Sequence, residues 1–231
     1  MKQNIAKNIT DIRARIINAE QLAGRKNHSV KLIAVSKTKP VELIHQAYLA
    51  GQTLFGESYL QEALAKIDDL KNDKIEWHFI GPIQSNKTKP IAESFSWVHS
   101  VDRLKIAKRL NEQRPEILPK LNICLQVNIS GEESKSGIKP EEVSDILSAC
   151  LNLPRINVRG LMAIPAISSD VELQRKYFKE IRRLLEHSNQ QFKINLDTLS
   201  MGMSSDLEAA ILEGATHVRI GTAIFGKREP I

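Results

Sequence analysis

Lys37 closes the run VKLIAVSK (30–37), an apolar stretch rich in β-branched residues. A lysine at the end of such a stretch is partly stripped of water, and Lys39 stands two residues away. Both effects favour the neutral amine, which is the form that adds to a carbonyl to give an imine. Lys37 shares the parity of Ile33 and Val35, so if those side chains face the inside of a barrel, the amine points into its top. The same residue also reads as a surface lysine lying along a strand end. From the residues alone both readings stand.

A second candidate lies at SMGMSSDLEAAILEG (200–214). Ser205, Asp206 and Glu208 have the spacing of a capping box, Leu207, Ile211 and Leu212 make an apolar stripe, and Gly214 is a stop. Gly202 and its flanking serines then form a small-residue loop running into a helix N-terminus, where free N–H groups and the helix dipole favour an anion. An ordinary capped helix explains the same residues. Gly221-Thr222 adds another small, hydroxyl-bearing turn near the C-terminus. Arg219, inside the strand before that turn, either faces outward to a carboxylate or reaches a ligand.

These residues need elements to position them. Ile5, Ile9, Ile12 and Ile16 form one helical stripe ahead of everything else, with Gly24 beyond its end. Strand patterns follow at 30–36, 53–56, 75–81, 97–101, 121–129, 157–164, 195–200 and 216–221. Helical patterns lie between them: one opening at Pro40, then 58–70, 85–93, 103–113, 140–151, 170–187 and 205–213. Strict alternation implies a parallel sheet with right-handed crossovers. Eight units in 231 residues fit a (β/α)8 TIM barrel, which typically takes ~250. The expected architecture is therefore a single α/β barrel domain spanning 1–231 with an extra N-terminal helix; an open doubly wound sheet is the rival. Barrels carry function at the C-terminal ends of their strands and often hold phosphate between the loops after strands 7 and 8. The 200–205 loop and Gly221-Thr222 fall on that pair of loops, which favours a phosphate group.

Composition removes several alternatives. The chain has 33 basic and 27 acidic residues, a net +6, spread along its length, with only 5% aromatic residues. That balance steers small anions better than it binds nucleic acid. No apolar run reaches the ~18 residues of a membrane span, and MKQNIAKNIT has no signal-peptide h-region. The expected setting is the cytoplasm, with Cys124 and Cys150 as buried free thiols. Gly221 to Lys227 matches GxxxxGK, but Arg228 replaces the Ser/Thr that a P-loop uses for Mg2+, so the match is set aside. The six histidines show no metal-ligand spacing, and His78 in WHFIG reads as a packed core residue.

The segments VSKTKP (35–40), FGESYLQE (55–62), WHFIGPIQSNK (77–87), SGEESKSGI (130–138), RGLMAIP (159–165), LSMGMSSDLEAAI (199–211) and VRIGTAIFG (218–226) resemble the pyridoxal phosphate homeostasis protein family, the YggS/PROSC group. The resemblance runs in order from Val35 to Gly226 and is specific in combination. It implies a (β/α)8 barrel similar to the N-terminal domain of alanine racemase, with pyridoxal 5′-phosphate (PLP) as cofactor. By the same resemblance Lys37 holds PLP as a Schiff base, Ser200, Ser204, Gly221 and Thr222 surround the phosphate, and Arg219 stands opposite the pyridine nitrogen. Ser58 stands where the family commonly has Asn, so no ring contact is carried over to it. Lys135 in SKSGI lies in a conspicuous loop of unassigned role.

An arginine keeps its proton, so a ring nitrogen facing Arg219 stays unprotonated and is a poorer electron sink. The fold-type III enzymes also use a second domain and a partner subunit to complete their sites, whereas this sequence stops just past the barrel. The expectation is a monomeric carrier that buffers PLP or delivers it to PLP-dependent apoenzymes, without catalytic activity. A PLP-dependent racemase-like enzyme is the alternative, and a cofactor-free Schiff-base aldolase a more distant one.

Overall fold

The computed structural model describes residues 4–132 and 136–226. Its centre is a closed barrel of eight parallel strands in sequential order: β1 (Lys31–Val35), β2 (Leu54–Glu57), β3 (Glu76–Phe79), β4 (Trp97–Val101), β5 (Leu121–Val127), β6 (Ile156–Ala163), β7 (Thr198–Ser200) and β8 (His217–Ile220). β8 pairs back onto β1 through Lys31–His217 and Ile33–Arg219, which closes the ring. All eight strand patterns of the sequence are strands of this barrel.

Seven helices make the crossovers: α2 (Val41–Leu49), α3 (Leu60–Asp69), α4 (Thr88–Ser94), α5 (Leu104–Gln113), α6 (Val143–Leu151), α7 (Val171–Phe192) and α8 (Leu207–Leu212). Two predicted helices, 85–93 and 140–151, each open with one 3-10 turn, at Ser85–Lys87 and Pro140–Glu142. In each strand one parity faces the helices and the other faces inward. Leu32, Ala34, Phe55 and Val98 belong to the large apolar layer under the helices, whereas Trp97, Cys124 and Met162 form a separate cluster inside the barrel. Both cysteines are buried free thiols.

The N-terminal helix α1 (Ile5–Leu22) starts at Asn4, whose side chain accepts from the Lys7 amide. It buries Ile5, Ile9, Ile12 and Ile16 against the barrel's closing helices. At ~2 kcal/mol for each buried isoleucine, this stripe is a substantial clamp. It also bears on the barrel's C-terminal elements directly. Asn8 Nδ2 donates to the Ile224 carbonyl at 2.8 Å, within the one-turn helix α9 (Thr222–Phe225), and Arg15 pairs with Glu208 of α8 at 2.8 Å.

Two local expectations need correction. Pro40 is not the first helical residue: it is extended (φ −68°, ψ 157°) and α2 begins at Val41. The capping box at Ser205 does not form either. α8 begins at Leu207 with Asp206 as its cap residue, and Glu208 turns outward to Arg15. Asp206 Oδ1 instead accepts from the Met203 amide at 2.5 Å, tightening the preceding loop. With Asp206 as cap, Glu208 is the second helical residue, one position short of where a capping box needs it.

Candidate functional site

Lys37 sits in a tight turn directly after β1, closed by the Lys39 amide donating to the Ser36 carbonyl at 3.0 Å. Thr38 takes φ +64°, a left-handed conformation that costs a β-branched residue roughly 1–3 kcal/mol. Its neighbours hold it there. The Thr38 amide donates to Glu62 Oε1 at 2.6 Å, and the Ser36 hydroxyl donates to Glu57 Oε1 at 2.7 Å. Lys66 Nζ, itself buried, donates to the Ser36 carbonyl and to Glu57 Oε1, both at 2.8 Å, and to Glu62. Burial pushes the Glu57 carboxyl above the usual range, against the pull of Lys66. The backbone on either side of Lys37 is thus clamped by a charge network drawn from β2 and α3.

The small-residue loops lie across the same mouth. Gly202 has φ +94°, and a Cβ there would stand 2.6 Å from Ala210 Cβ, so the turn after β7 requires glycine. The Arg219 amide donates to the Gly202 carbonyl at 2.9 Å, which ties this loop to β8. Gly221 follows β8 and packs against the Val35 carbonyl, leaving 3.2 Å for a Cβ. α9 begins at Thr222, so the first-turn amides of Thr222 and Ala223 have no intrahelical acceptor. Arg15 Nη2 reaches the Ser204 carbonyl at 3.3 Å, so α1 braces this side of the mouth as well.

These parts line one cavity of about 290 Å³, near the lower end of the ~300–1,000 Å³ usual for small ligands. Its wall includes Lys37, Lys39, Ser58, Ser204, Arg219, Gly221 and Thr222, with Val35, Ile80 and Ile164 as apolar surface. Arg219 is 5% exposed and points inward, not to a surface carboxylate. Its Nη2 donates to the Ala163 carbonyl at 3.0 Å and its Nη1 to Ser200 Oγ at 2.8 Å. Burial lowers its pKa to about 10, which leaves the guanidinium charged at neutral pH.

Five of the six expected site residues therefore meet: Lys37, Ser204, Arg219, Gly221 and Thr222. Ser200 does not join them. It is fully buried, with its hydroxyl engaged by Arg219 and His99. Ser205 takes a place on the wall beside Ser204. Lys135 of the SKSGI segment lies outside the described residues. Sequence reasoning placed Glu57 at a strand end without a role, and it missed Lys66 and His99. Inward parity was the available signal for His99, which stands two residues after Trp97 on β4.

A closed parallel barrel with a lysine after its first strand and small-residue loops after its seventh and eighth defines a class. The family model for the alanine racemase N-terminal domain matches residues 8–229. Alanine racemase from Corynebacterium glutamicum shares the fold at a TM-score of 0.69 and 20% identity, with 98% of this chain covering 61% of that one. Much nearer is the pyridoxal phosphate homeostasis protein of Pseudomonas aeruginosa, 58% identical over 225 residues, 97% of this chain and 96% of that protein. PipY of Synechococcus elongatus, whose structure is solved with PLP bound, is 35% identical at a TM-score of 0.85, over 96% of this chain and all of that one. The chain belongs to the pyridoxal phosphate homeostasis protein family. Among the described residues no helix is long and apolar enough to cross a membrane, and no cluster of His, Cys, Asp and Glu could hold a metal ion.

Proposed function

We propose that this chain binds PLP at the barrel mouth and serves PLP homeostasis by holding the cofactor and releasing it, buffering the free aldehyde or passing it to PLP-dependent apoenzymes. The observation that carries this reading is the shared wall: the Lys37 amine, the Arg219 guanidinium and the Ser204, Gly221 and Thr222 cradle line one cavity. Those groups fit the three chemical features of the cofactor. The Lys37 amine would hold the aldehyde end. The amides of Thr222 and Ala223 and the hydroxyls of Ser204 and Thr222 would donate to the phosphate. Arg219 would donate to the ring nitrogen.

When bound, PLP supplies an electron sink for carbanion chemistry. This chain's residues work against that use. Arg219 is a donor that stays charged, so a ring nitrogen held opposite it would remain unprotonated. The titratable side chains on the wall are Lys37, Lys39 and Arg219, with neither a carboxylate nor an imidazole among its described residues. A racemase needs an acid/base group on each face of its substrate carbon. The reading is therefore a carrier.

An absorption spectrum of the PLP-loaded protein before and after adding an amino acid tests this. The account expects a Schiff-base band that exchanges with amines, and no solvent deuterium entering Cα of a panel of amino acids beyond the rate of free PLP. Deuterium incorporation well above that rate would establish the enzyme reading instead.

A further inference from the structure

Three of the six histidines, His78, His99 and His217, gather with Trp97 inside the barrel. Two of them belong to an unbroken line of side chains crossing from the N-terminal end of the strands to the cavity. Glu76 Oε1 lies 3.0 Å from His78 Nε2, and His78 Nδ1 lies 2.8 Å from His99 Nε2. His99 Nδ1 lies 2.8 Å from Ser200 Oγ, and Arg219 Nη1 donates to that same oxygen at 2.8 Å. His78, His99 and Ser200 are fully buried.

The ends of this line fix its direction. An ionised carboxylate only accepts, so His78 must carry its proton on Nε2. A neutral imidazole has one N–H, so His78 Nδ1 accepts and His99 must donate from Nε2. His99 Nδ1 then accepts in its turn, and the donor facing it is the Ser200 hydroxyl. The serine oxygen keeps its lone pairs for Arg219, which only donates. Running the line backwards would set the bare His78 Nε2 against the Glu76 carboxylate.

The surroundings keep both rings neutral. Lys31, Arg159 and Arg219 bring positive charge to this interior, and His217 and the Cys124 thiol adjoin it; Glu76 and Asp197 are the facing carboxylates. Burial and the neighbouring imidazoles hold His99 well below the ordinary histidine range, and burial lowers His78 despite Glu76.

We propose that Glu76, His78, His99 and Ser200 are positioning residues for Arg219, a directed hydrogen-bond line that holds the guanidinium in one orientation at the cavity wall. Its value for ligand binding rests on the reading above, in which Arg219 meets the cofactor ring. It reassigns Ser200: the hydroxyl proton is committed to His99, so Ser200 supports Arg219 rather than donating to the phosphate.

The test reads ring nitrogens in protein labelled with 15N-histidine, without added PLP, the signals assigned with single His→Gln variants. His78 and His99 are expected to be neutral at pH 7 with the proton on Nε2. A proton on Nδ1 of either ring, or an imidazolium, overturns the proposal. In a second arm, Ser200→Ala is expected to give His99 a mixture of tautomers and to raise the dissociation constant for PLP about tenfold, with Ser200→Thr restoring both. An unchanged tautomer and affinity in Ser200→Ala also overturns it. A protein that took up no PLP would contradict the proposed function alone, because the tautomers are read in its absence.

Discussion

Two cationic residues of the cavity, Lys37 and Arg219, are supported in opposite ways. Lys37 rests on an ionic network, with Lys66 between Glu57 and Glu62 and two of its bonds ending on the backbone of Ser36 and Thr38. That network lies on the outer side of β1 and β2 and fixes the turn. Arg219 rests on neutral side chains that cross the barrel interior and end on the guanidinium itself. The difference matches the chemistry proposed for each. A residue that must form and break a covalent bond needs a fixed backbone and a mobile side-chain tip. A residue that only donates hydrogen bonds needs its head group fixed.

Breaking the two supports should therefore cost different amounts. Lys66→Ala leaves the Glu57 carboxylate buried without its counter-ion, and about 3–5 kcal/mol of stability is expected to be lost in denaturant unfolding. The Thr38 turn should loosen with it, weakening PLP uptake. Ser200→Ala removes one neutral link and leaves His99 Nδ1 and one Arg219 N–H unpaired, an expected loss of about 1–3 kcal/mol by the same measurement. Equal losses would erase the distinction between the two supports.

Acid should act on the buried histidines of the interior over a defined window. Burial keeps His78 and His99 below the ordinary range and pushes His217 down to about 3. Below about pH 6.5 the unfolded chain takes up protons that these rings refuse in the folded state. The unfolded state then binds more protons, so stability rises with pH and falls on acidification. Each such ring contributes about 1.4 kcal/mol per pH unit, from about pH 6 downward until its own folded pKa is reached. Unfolding free energies at several pH values check this slope, and His217→Asn should reduce it by one ring's share.

Much of this was legible in the sequence, for a physical reason. Parallel strands covered by helices read as short apolar runs, and all eight runs became strands. Lys37, Gly221 and Thr222 were visible because a strand end fixes where its next residue points. What stayed hidden depends on distance in space. Lys66 reads as one more polar residue on α3 until the fold carries it under Ser36. His78, His99 and Ser200 come from three strands and meet only across the closed barrel. Ser200 is the last residue of β7, as the 195–200 pattern predicted, but its hydroxyl meets His99 and Arg219, partners on two other strands that spacing along the chain does not show. The capping box failed because α8 starts one residue later than the spacing suggested, and Glu208 meets Arg15 on α1, 193 positions away.

The central claim is that Lys37 is the residue that holds PLP. Adding PLP, reducing the adduct with borohydride and mapping the modified peptide by mass spectrometry tests it most directly. The account predicts one pyridoxyl group per chain on Lys37, with Lys37→Ala both colourless and unlabelled. Stoichiometric label on another lysine, or a yellow Lys37→Ala protein, would contradict it.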